Sequence, residues 1–301
     1  MQAIIEIGTN SLKLLIYQVK PDFKAVLDRT VITRLGEGYK ETGEISINAL
    51  NRTINEIEKA IQIIETYKCT DIFLYGTMIF RNAKNSQNVL REIFHKVGLK
   101  LEVISGEEEA ELSFLATTHS FSVLDKNVLV IDTGGGSTEF IFGRNDRIEE
   151  IQSIDVGAVT LTDSFLLDNK VDALQLERCK EYLTNRFEVI KNKTKPDIII
   201  GIGGTVTTIS AIFQKLEHYS AEKVQGSKVF LDEINELEAE LSEKNLVHRK
   251  DIIGLSPKRA DIILGGVLII KSILEKFSAT EMLVCDHGLR YGLALKEWRK
   301  K

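Results

Sequence analysis

Two short stretches of the chain alternate apolar and polar residues around a Gly-rich turn. Residues 5–16 read IEIGTNSLKLLI, and residues 131–142 read IDTGGGSTEFIF. In each stretch an acid, Glu6 or Asp132, stands two residues before a Gly, and an apolar run follows the turn. This pattern is typical of a strand, a tight turn and a second strand. The sequence therefore predicts one hairpin built twice, a domain-sized distance apart.

The rest of the pattern adds further strands and helices after each hairpin. Apolar residues recur at Leu50, Ile54, Ile57, Ile61 and Ile64, the period of an amphipathic helix. Short apolar runs predict strands over 26–35, 71–75, 101–104, 197–200 and 282–285. Helices are predicted over 87–97, 107–117, 173–192, 232–243 and 289–299, and from Ser256–Pro257 to about residue 276.

This order of elements predicts the fold class. Strands come first and then alternate with helices, and the order is repeated in the second half of the 301 residues. Such a chain is expected to form two α/β domains that flank a central cleft. The first domain is expected over residues 1–122, with the helix 289–301 as an addition to it, and the second over 123–288.

Composition narrows the classes of function. The chain has 39 Lys and Arg against 44 Asp and Glu, a net charge of −5. This argues against nucleic-acid or membrane binding, which needs a broad basic field. The apolar stretch 262–270 is too short to span a bilayer, and the three Cys are scattered, which favours the cytoplasm. A homodimer is left open.

The second Gly-rich turn carries the clearest chemical signal. Gly134, Gly135, Gly136 and Ser137 suit a phosphate cradle, because glycines allow close approach and successive N–H groups bind anions. The flanking acids Asp132 and Glu139 are candidate ligands of Mg²⁺ or another divalent cation, as is Glu6 in the first copy. Asn10 and Ser11 are the corresponding phosphate-binding candidates in the first turn.

A third glycine segment follows the predicted strand 197–200. Gly203, Gly204 and Thr205 are expected to start a helix whose N–H groups face an anion. The segment lacks the last Gly of GxGxxG and the Lys of a P-loop, so neither of those sites is predicted. Glycines that serve the turn geometry alone are an equally good interpretation here.

A protease interpretation competes with the phosphate cradle. Asp132-Thr-Gly134 is also the triplet of aspartic proteases, which need two carboxylates that share a proton. The matching position in the first half is Glu6-Ile-Gly8, so no second triplet is present there. We therefore favour phosphate chemistry.

Five segments together resemble one family, and they occur along nearly the whole chain. They are 6–11 (EIGTNS), 105–110 (SGEEEA), 132–139 (DTGGGSTE), 201–205 (GIGGT), and the pair 259–261 (RAD) with 286–290 (DHGLR). In this set the chain resembles the short form of the Ppx/GppA phosphatase family, exopolyphosphatases and guanosine pentaphosphate phosphohydrolases. The resemblance implies a duplicated ribonuclease-H-like fold, the actin-like ATPase superfold.

The resemblance also assigns roles to particular residues. It implies that Glu109 is the catalytic base, with Glu108 as the nearest competitor, although acids in a first helical turn also stabilise the helix without any function. Residues 76–85 (GTMIFRNAKN) resemble a family segment in which Arg81 would clamp phosphate oxygens. Arg259 and Arg290 are weaker candidates of this type. The family usually has Asp where this chain has Glu6.

The function expected from these features is removal of terminal orthophosphate from inorganic polyphosphate or from guanosine pentaphosphate, by metal-assisted attack of water. Bulky residues at 78–80 and Glu6 depart from the family pattern. For that reason a catalytically weak regulator that binds polyphosphate or nucleotides is kept as the alternative, and an ATP-dependent kinase of the same superfold as a third interpretation.

Overall fold

The computed structural model describes residues 1–20, 23–121, 123–145, 147–166, 170–191 and 195–300. The chain forms two compact units, Met1–Ala116 with Leu289–Lys301 (the first unit) and Thr117–Gly288 (the second unit). Residues 122 and 192, where a predicted domain and a predicted helix end, lie outside the described residues. No helix in the described ranges is long and apolar enough to cross a membrane.

Residues 1–120 form five strands and five helices among those the structure describes. In chain order they are β1 (Gln2–Ile7), β2 (Ser11–Gln18), β3 (Lys24–Ile32), α1 (Tyr39–Thr42), α2 (Ile47–Thr66), β4 (Asp71–Gly76), α3 (Met78–Asn82), α4 (Ser86–Val97), β5 (Leu101–Val103) and α5 (Gly106–Ser120).

The remaining described residues form six strands and eight helices. They are β6 (Asn127–Thr133), β7 (Thr138–Arg144), β8 (Arg147–Ile154), α6 (Ala158–Phe165), α7 (Ala173–Phe187), β9 (Ile198–Ile202), α8 (Gly203–Phe213), α9 (Ala221–Val224), β10 (Lys228–Phe230), α10 (Leu231–Glu243), α11 (Leu246–Arg249), α12 (Ile263–Lys276), β11 (Glu281–Cys285) and α13 (Leu289–Arg299).

The first unit is built around a five-stranded sheet in the order β3-β2-β1-β4-β5. β1, β2 and β3 form an antiparallel meander, whereas β1, β4 and β5 run parallel. All six residues of β1 are buried, as a strand covered on both faces requires. Ile5 packs in one core with Ile57 of α2, and Ile4 packs in another with Leu293 of α13.

The predicted amphipathic helix is confirmed as α2. Its N-terminus is capped by Ser46, whose Oγ accepts a hydrogen bond from the Ala49 N–H at 3.3 Å. The residues that carry the period, among them Leu50, Ile54 and Ile57, are buried. The periodic apolar face is thus the face that covers the sheet.

The second unit repeats the strand order of the first. Its six-stranded sheet has the order β10-β11-β9-β6-β7-β8. β6, β7 and β8 form the antiparallel meander, and β6, β9 and β11 run parallel. The order β8-β7-β6-β9-β11 is therefore equivalent to β3-β2-β1-β4-β5, with β10 added at the edge. The predicted duplicated α/β fold is confirmed.

The start of the helix predicted from Ser256–Pro257 is wrong. Pro257 begins a separate 3-10 turn, Pro257–Arg259, and α12 starts at Ile263. Proline suits either structure, because its fixed φ is shared by the 3-10 turn and the α-helix. The sequence signal for a helix start was therefore real, but it marked a shorter element.

Two glycines inside α12 let it pack closely against neighbouring helices. A Cβ on Gly265 would lie 2.7 Å from Thr162 Oγ1 of α6, and a Cβ on Gly266 would lie 2.5 Å from Thr205 Cγ2 of α8. Both distances are too short for real contacts. α12 therefore supports the two helices that begin at the candidate site.

Candidate active site

The predicted site residues lie at the carboxyl ends of parallel strands, where open α/β sheets bind ligands. In the second unit, β6 leads into the loop 134–137, β9 into α8, and β11 into residues 286–288. In the first unit, β1 leads into the tip of the first hairpin, β4 into α3, and β5 into α5.

The loop of the second hairpin turns its carbonyl groups toward the start of α6. Gly134 O accepts from Ala158 N at 2.9 Å, and Gly135 O accepts from the next two amides at 2.9 and 3.0 Å. Gly136 O accepts from Thr160 Oγ1 at 3.4 Å. Because these carbonyls are engaged, the amides between them face the other way. The N–H groups of Gly135, Gly136 and Ser137 donate to no acceptor within the described residues.

Gly157 makes this arrangement sterically feasible and was not predicted from the sequence. A Cβ at position 157 would lie 2.5 Å from both the carbonyl carbon and the oxygen of Gly135. Any larger residue would push the helix start away from the loop. The available signal was a Gly-Ala pair between the polar strand β8 and an apolar helix, but β8 and α6 were themselves not predicted.

Asp132 and Glu139 are direct cross-strand neighbours in the β6–β7 pair, so their side chains share one face of the sheet. Glu139 Oε1 accepts hydrogen bonds from Ser137 Oγ at 2.7 Å and from Ser153 Oγ at 3.0 Å. Asp132 Oδ1 lies only 2.6 Å from the place that a Cβ on Gly203 would take. Position 203 also has φ +85°, so both the space and the backbone there require glycine.

The N-terminus of α8 is held against β6. Thr205 is buried, and its Oγ1 donates to Thr133 O at 3.1 Å. The guanidinium of Arg259 lies against Gly204, where a Cβ would come too close to Nη2. Burial lowers the pKa of Arg259, and its side chain makes neither a hydrogen bond nor an ion pair with the described part of the chain. A cation beside a positive helix end favours an anion there.

The second unit therefore brings together most of the predicted residues. They are Asp132, Gly134, Gly135, Gly136, Ser137, Glu139, Gly203, Gly204 and Thr205, together with the weaker candidate Arg259, and the structure adds Gly157 and Ser153 to them.

In the first unit, the tip of the first hairpin is held in a similar way by residues 33–36. Thr33 N and Arg34 N both donate to Asn10 O at 3.0 Å, and Gly36 N donates to Thr9 O at 2.8 Å. The acid of this copy is placed differently, because Glu6 stands opposite Lys13 in the β1–β2 pair. Lys13 Nζ lies 2.8 Å from Glu6 Oε1.

Glu6 is 4% exposed, and its second oxygen, Oε2, has no hydrogen-bond partner within the described ranges. The first hairpin thus contains a neutralised acid, whereas the second hairpin contains two acids side by side. Ser11, the other predicted residue of this tip, starts β2, and its carbonyl accepts from Gly8 N at 2.9 Å.

Arg81 and Glu109 form an ion pair in the first unit. Arg81 Nη1 lies 2.9 Å from Glu109 Oε2 and also donates to Ile104 O at 2.9 Å. Both side chains remain partly exposed, at 26% and 33%. Glu108 points elsewhere, since its Oε1 lies 2.5 Å from Lys296 Nζ of α13.

Arg290, one of the two weaker arginine candidates, is bound within the fold. Its Nε lies 2.8 and 3.0 Å from the two carboxylate oxygens of Asp28, and its Nη2 lies 2.8 Å from Oδ2. Arg290 is 5% exposed. This bidentate pair joins α13 to β3 and leaves Arg290 a structural residue of the first unit.

The described residues contain no group of three or more His, Cys, Asp or Glu side chains placed to hold a metal ion. Mg²⁺, however, commonly takes only one or two carboxylates and completes its shell with phosphates and water. The donors around Asp132 and Glu139 are all oxygen atoms, carboxylates and hydroxyls. A hard divalent cation therefore fits this pair.

Comparisons with known proteins agree with the fold and the motifs. The model of the Ppx/GppA phosphatase family matches residues 15–301. The chain belongs to this family.

Individual relatives cover nearly all of the chain. A bifunctional 3-dehydroquinate synthase/phosphatase from Fusobacterium nucleatum is 33% identical over 309 residues, which are 98% of this chain and 46% of that protein. The chain thus spans about half the length of that relative. Exopolyphosphatase 2 from Mycobacterium tuberculosis is 27% identical over 315 residues, 97% of each protein.

Among solved structures, the PPX-GPPA enzyme of Aquifex aeolicus is 32% identical, with a TM-score of 0.88 and 98% of both chains covered. Together with the equivalent strand order of the two sheets, this likeness confirms the predicted actin-like ATPase superfold with duplicated ribonuclease-H-like domains.

Proposed function

We propose that this chain is a hydrolase that removes terminal orthophosphate from inorganic polyphosphate, with guanosine pentaphosphate as a second substrate of the same chemical class. Membership of the Ppx/GppA phosphatase family and the similarity to an exopolyphosphatase support this proposal. The bond that breaks is a phosphoanhydride, and the nucleophile is water.

The observation that carries the proposal is the set of three amides at Gly135, Gly136 and Ser137. Their N–H groups lack acceptors in the described residues because α6 binds the carbonyls of the same loop. Such a row of N–H groups binds tetrahedral anions. Phosphate oxygens would supply the missing acceptors, and the adjoining N-terminus of α8 with Arg259 adds positive charge.

Asp132 and Glu139 would hold the divalent cation of this site. Two carboxylates directly opposite each other repel, and a cation held by them would offset that repulsion. When bound, the cation would neutralise charge on the phosphate oxygens during the reaction. Glu6 is a weaker candidate ligand, because one of its oxygens already binds Lys13. We therefore propose the first hairpin as a supporting element.

Glu109 is the proposed general base. Water attacks the terminal phosphorus atom, its proton passes to the Glu109 carboxylate, and the bridging P–O bond breaks so that the shortened chain leaves with the bonding electrons. Arg81 would bind a phosphate oxygen and the Glu109 carboxylate at the same time, since its guanidinium has N–H donors left beyond those bound to Glu109 and Ile104.

A phosphate-release assay on polyphosphate, guanosine pentaphosphate and ATP, each with and without Mg²⁺, tests the proposal. We expect Mg²⁺-dependent release from polyphosphate. Binding of polyphosphate without release would instead indicate a regulator, and phosphate transfer from ATP to an acceptor hydroxyl would indicate a kinase. Either result would overturn the proposed hydrolase.

A further inference from the structure

The first turn of α5 is held from two sides by cations of two other elements. Glu109 pairs with Arg81 of α3, and Glu108 pairs with Lys296 of α13 at 2.5 Å. Adjacent helix residues point about 100° apart. Two bonds in two directions therefore fix the rotation of this turn as well as its position.

The Glu108 bond replaces a local one that the sequence favours. Ser105 and Glu108 have the spacing of a capping box, in which the Glu side chain returns to the N–H of the capping residue. Only half of that motif forms, the bond from Glu108 N to Ser105 Oγ at 3.0 Å. The Glu108 carboxylate is bound by Lys296 instead, which lies 188 positions away in the sequence.

Lys296 is itself set firmly in place by the packing of α13. A Cβ on Gly292 would lie only 2.0 Å from Leu112 O, so α13 approaches α5 as closely as a glycine allows. Six residues further along, Trp298 Nε1 donates to Val19 O at 3.0 Å. α13 thus cannot shift without breaking contacts on both sides of Lys296.

The surroundings of Lys296 strengthen its pair with Glu108. The ammonium lies 5.9 Å from the centre of the Tyr75 ring, and the side chain is 27% exposed. Tyr75 is held in turn by a 2.9 Å bond from its hydroxyl to Glu297. Burial alone would lower the pKa of Lys296, but the bond to Glu108 and its charge raise it. The ion pair between Lys296 and Glu108 therefore has more stabilising contacts around it than an ordinary exposed ion pair.

We propose that Lys296 is a positioning residue of the hydrolytic site: by holding Glu108, it orients the first turn of α5 so that Glu109 takes the proton from water. This inference rests on the proposed function. It also assigns the two candidate acids different roles, because Glu108 then supports the site and does not react.

Replacement of Lys296 tests the inference through kinetics. In Lys296→Met we expect kcat to fall by about 10- to 100-fold, because a small displacement of the base is costly, with KM changed by less than about threefold. Lys296→Arg retains the cation and is expected to recover most of the lost rate. Lys300→Met is the matched control, since Lys300 directly follows the same helix and its Nζ lies 2.6 Å from Oε1 of Glu297, a residue of α13 itself. Equal kcat in the two Met variants would overturn the inference.

Exchange of the two charges separates positioning from catalysis. The variant with both Glu108→Lys and Lys296→Glu keeps the ion pair but removes the carboxylate from position 108. We expect it to be at least about tenfold more active than Glu108→Lys alone, as coupled partners behave in a double-mutant cycle. If the double variant is as inactive as the single one while Lys296→Met is active, Glu108 is the reacting acid and the inference fails.

Amide hydrogen exchange tests the role of the Glu108–Lys296 ion pair independently of catalysis. The N–H groups of Glu108 and Glu109 bond to Ser105, and we expect them to exchange at least about threefold faster in Lys296→Met than in Lys300→Met. Equal exchange rates would overturn the positioning role. A wild-type chain that releases no phosphate would reject the proposed function instead, and the two failures are thus distinguishable.

Discussion

Asp132 and Glu139 stand directly opposite each other in the β6–β7 pair, two acids on one face of the sheet. In the equivalent place of the first hairpin, Glu6 stands opposite Lys13, and the two side chains form a 2.8 Å ion pair. The duplicated hairpins thus differ in charge at the same structural position. The second copy places two carboxylates side by side, and the first pairs its acid with a lysine, which is why we propose the metal at the second copy.

Glu139→Gln should weaken metal binding without lowering the stability of the metal-free protein. Without divalent cations we expect its melting temperature to equal or exceed that of the wild type, because like charges directly opposite each other on a sheet are destabilising. Mg²⁺ at 100 times its Kd would stabilise the wild type by about 2.7 kcal/mol. The variant should lose most of that gain, as measured by thermal unfolding with and without Mg²⁺.

Glu150→Gln is the control for this experiment, since Glu150 is an exposed residue of the neighbouring strand β8. It should respond to Mg²⁺ as the wild type does. An undiminished Mg²⁺ response in Glu139→Gln would rule out Glu139 as a ligand.

Glu109→Gln should abolish turnover and preserve binding. Loss of a general base lowers kcat by about 10²- to 10⁴-fold, whereas the neutral amide keeps the shape of the side chain. Glu107→Gln in the same turn is the matched control, because Glu107 is exposed. Steady-state kinetics and polyphosphate binding report the two effects, and normal kcat in Glu109→Gln would disprove the assignment of the base.

Gly157→Ala should distort the phosphate loop. Its Cβ would lie 2.5 Å from the backbone of Gly135, and such overpacking costs about 1–3 kcal/mol of the free energy of unfolding. Gly136→Ala is the comparison, because a Cβ there meets no atom within 4 Å, and we expect a change within about 0.5 kcal/mol. Urea unfolding of both variants measures the difference, and equal stabilities would contradict this account of the loop.

Glu238 should make the second unit sensitive to acid. Burial would raise the pKa of its carboxyl, but hydrogen bonds from Lys180 and Lys271 outweigh that effect and hold the pKa below its usual value. Unfolded glutamate has a pKa of about 4.3. Since the folded pKa is lower, this contribution to the free energy of unfolding is complete above roughly pH 5 and is lost as the pH falls through the folded pKa.

Urea unfolding of Glu238→Gln between pH 6 and pH 3 checks this sign. The loss of stability on acidification should be smaller than in the wild type. Glu275→Gln is the control, because Glu275 is 3.9 Å from the same Lys271 but is 53% exposed. A wild-type slope in Glu238→Gln would contradict the prediction.

The predictable parts of the fold are those that depend on the pattern of neighbouring residues in the sequence. The alternation around Gly8 and Gly134 predicted the hairpins, because a tight turn and a two-residue period are properties of neighbouring residues. β8 was not predicted, since Arg147–Ile154 is an edge strand with mostly exposed polar residues. α6, which follows it, could not be assigned to the loop that it supports.

The sequence predicted which residues form the candidate site better than it predicted the contacts between them. Asp132, the three glycines and Glu139 are close in sequence, so one motif contains them. The Arg81–Glu109 pair joins positions 28 residues apart, and the Lys296–Glu108 pair joins positions 188 apart. Such bonds depend on how helices pack on the sheet, which no local pattern specifies. The roles of these residues stay predictions.

Hydrolysis of polyphosphate in ¹⁸O-labelled water tests the central claim most directly. If water attacks the terminal phosphorus with Glu109 as the base, each orthophosphate released by the wild type in the presence of Mg²⁺ carries one ¹⁸O atom, and Glu109→Gln releases none at a comparable rate. Orthophosphate without the label, or phosphate transferred to another acceptor, would contradict the hydrolytic mechanism.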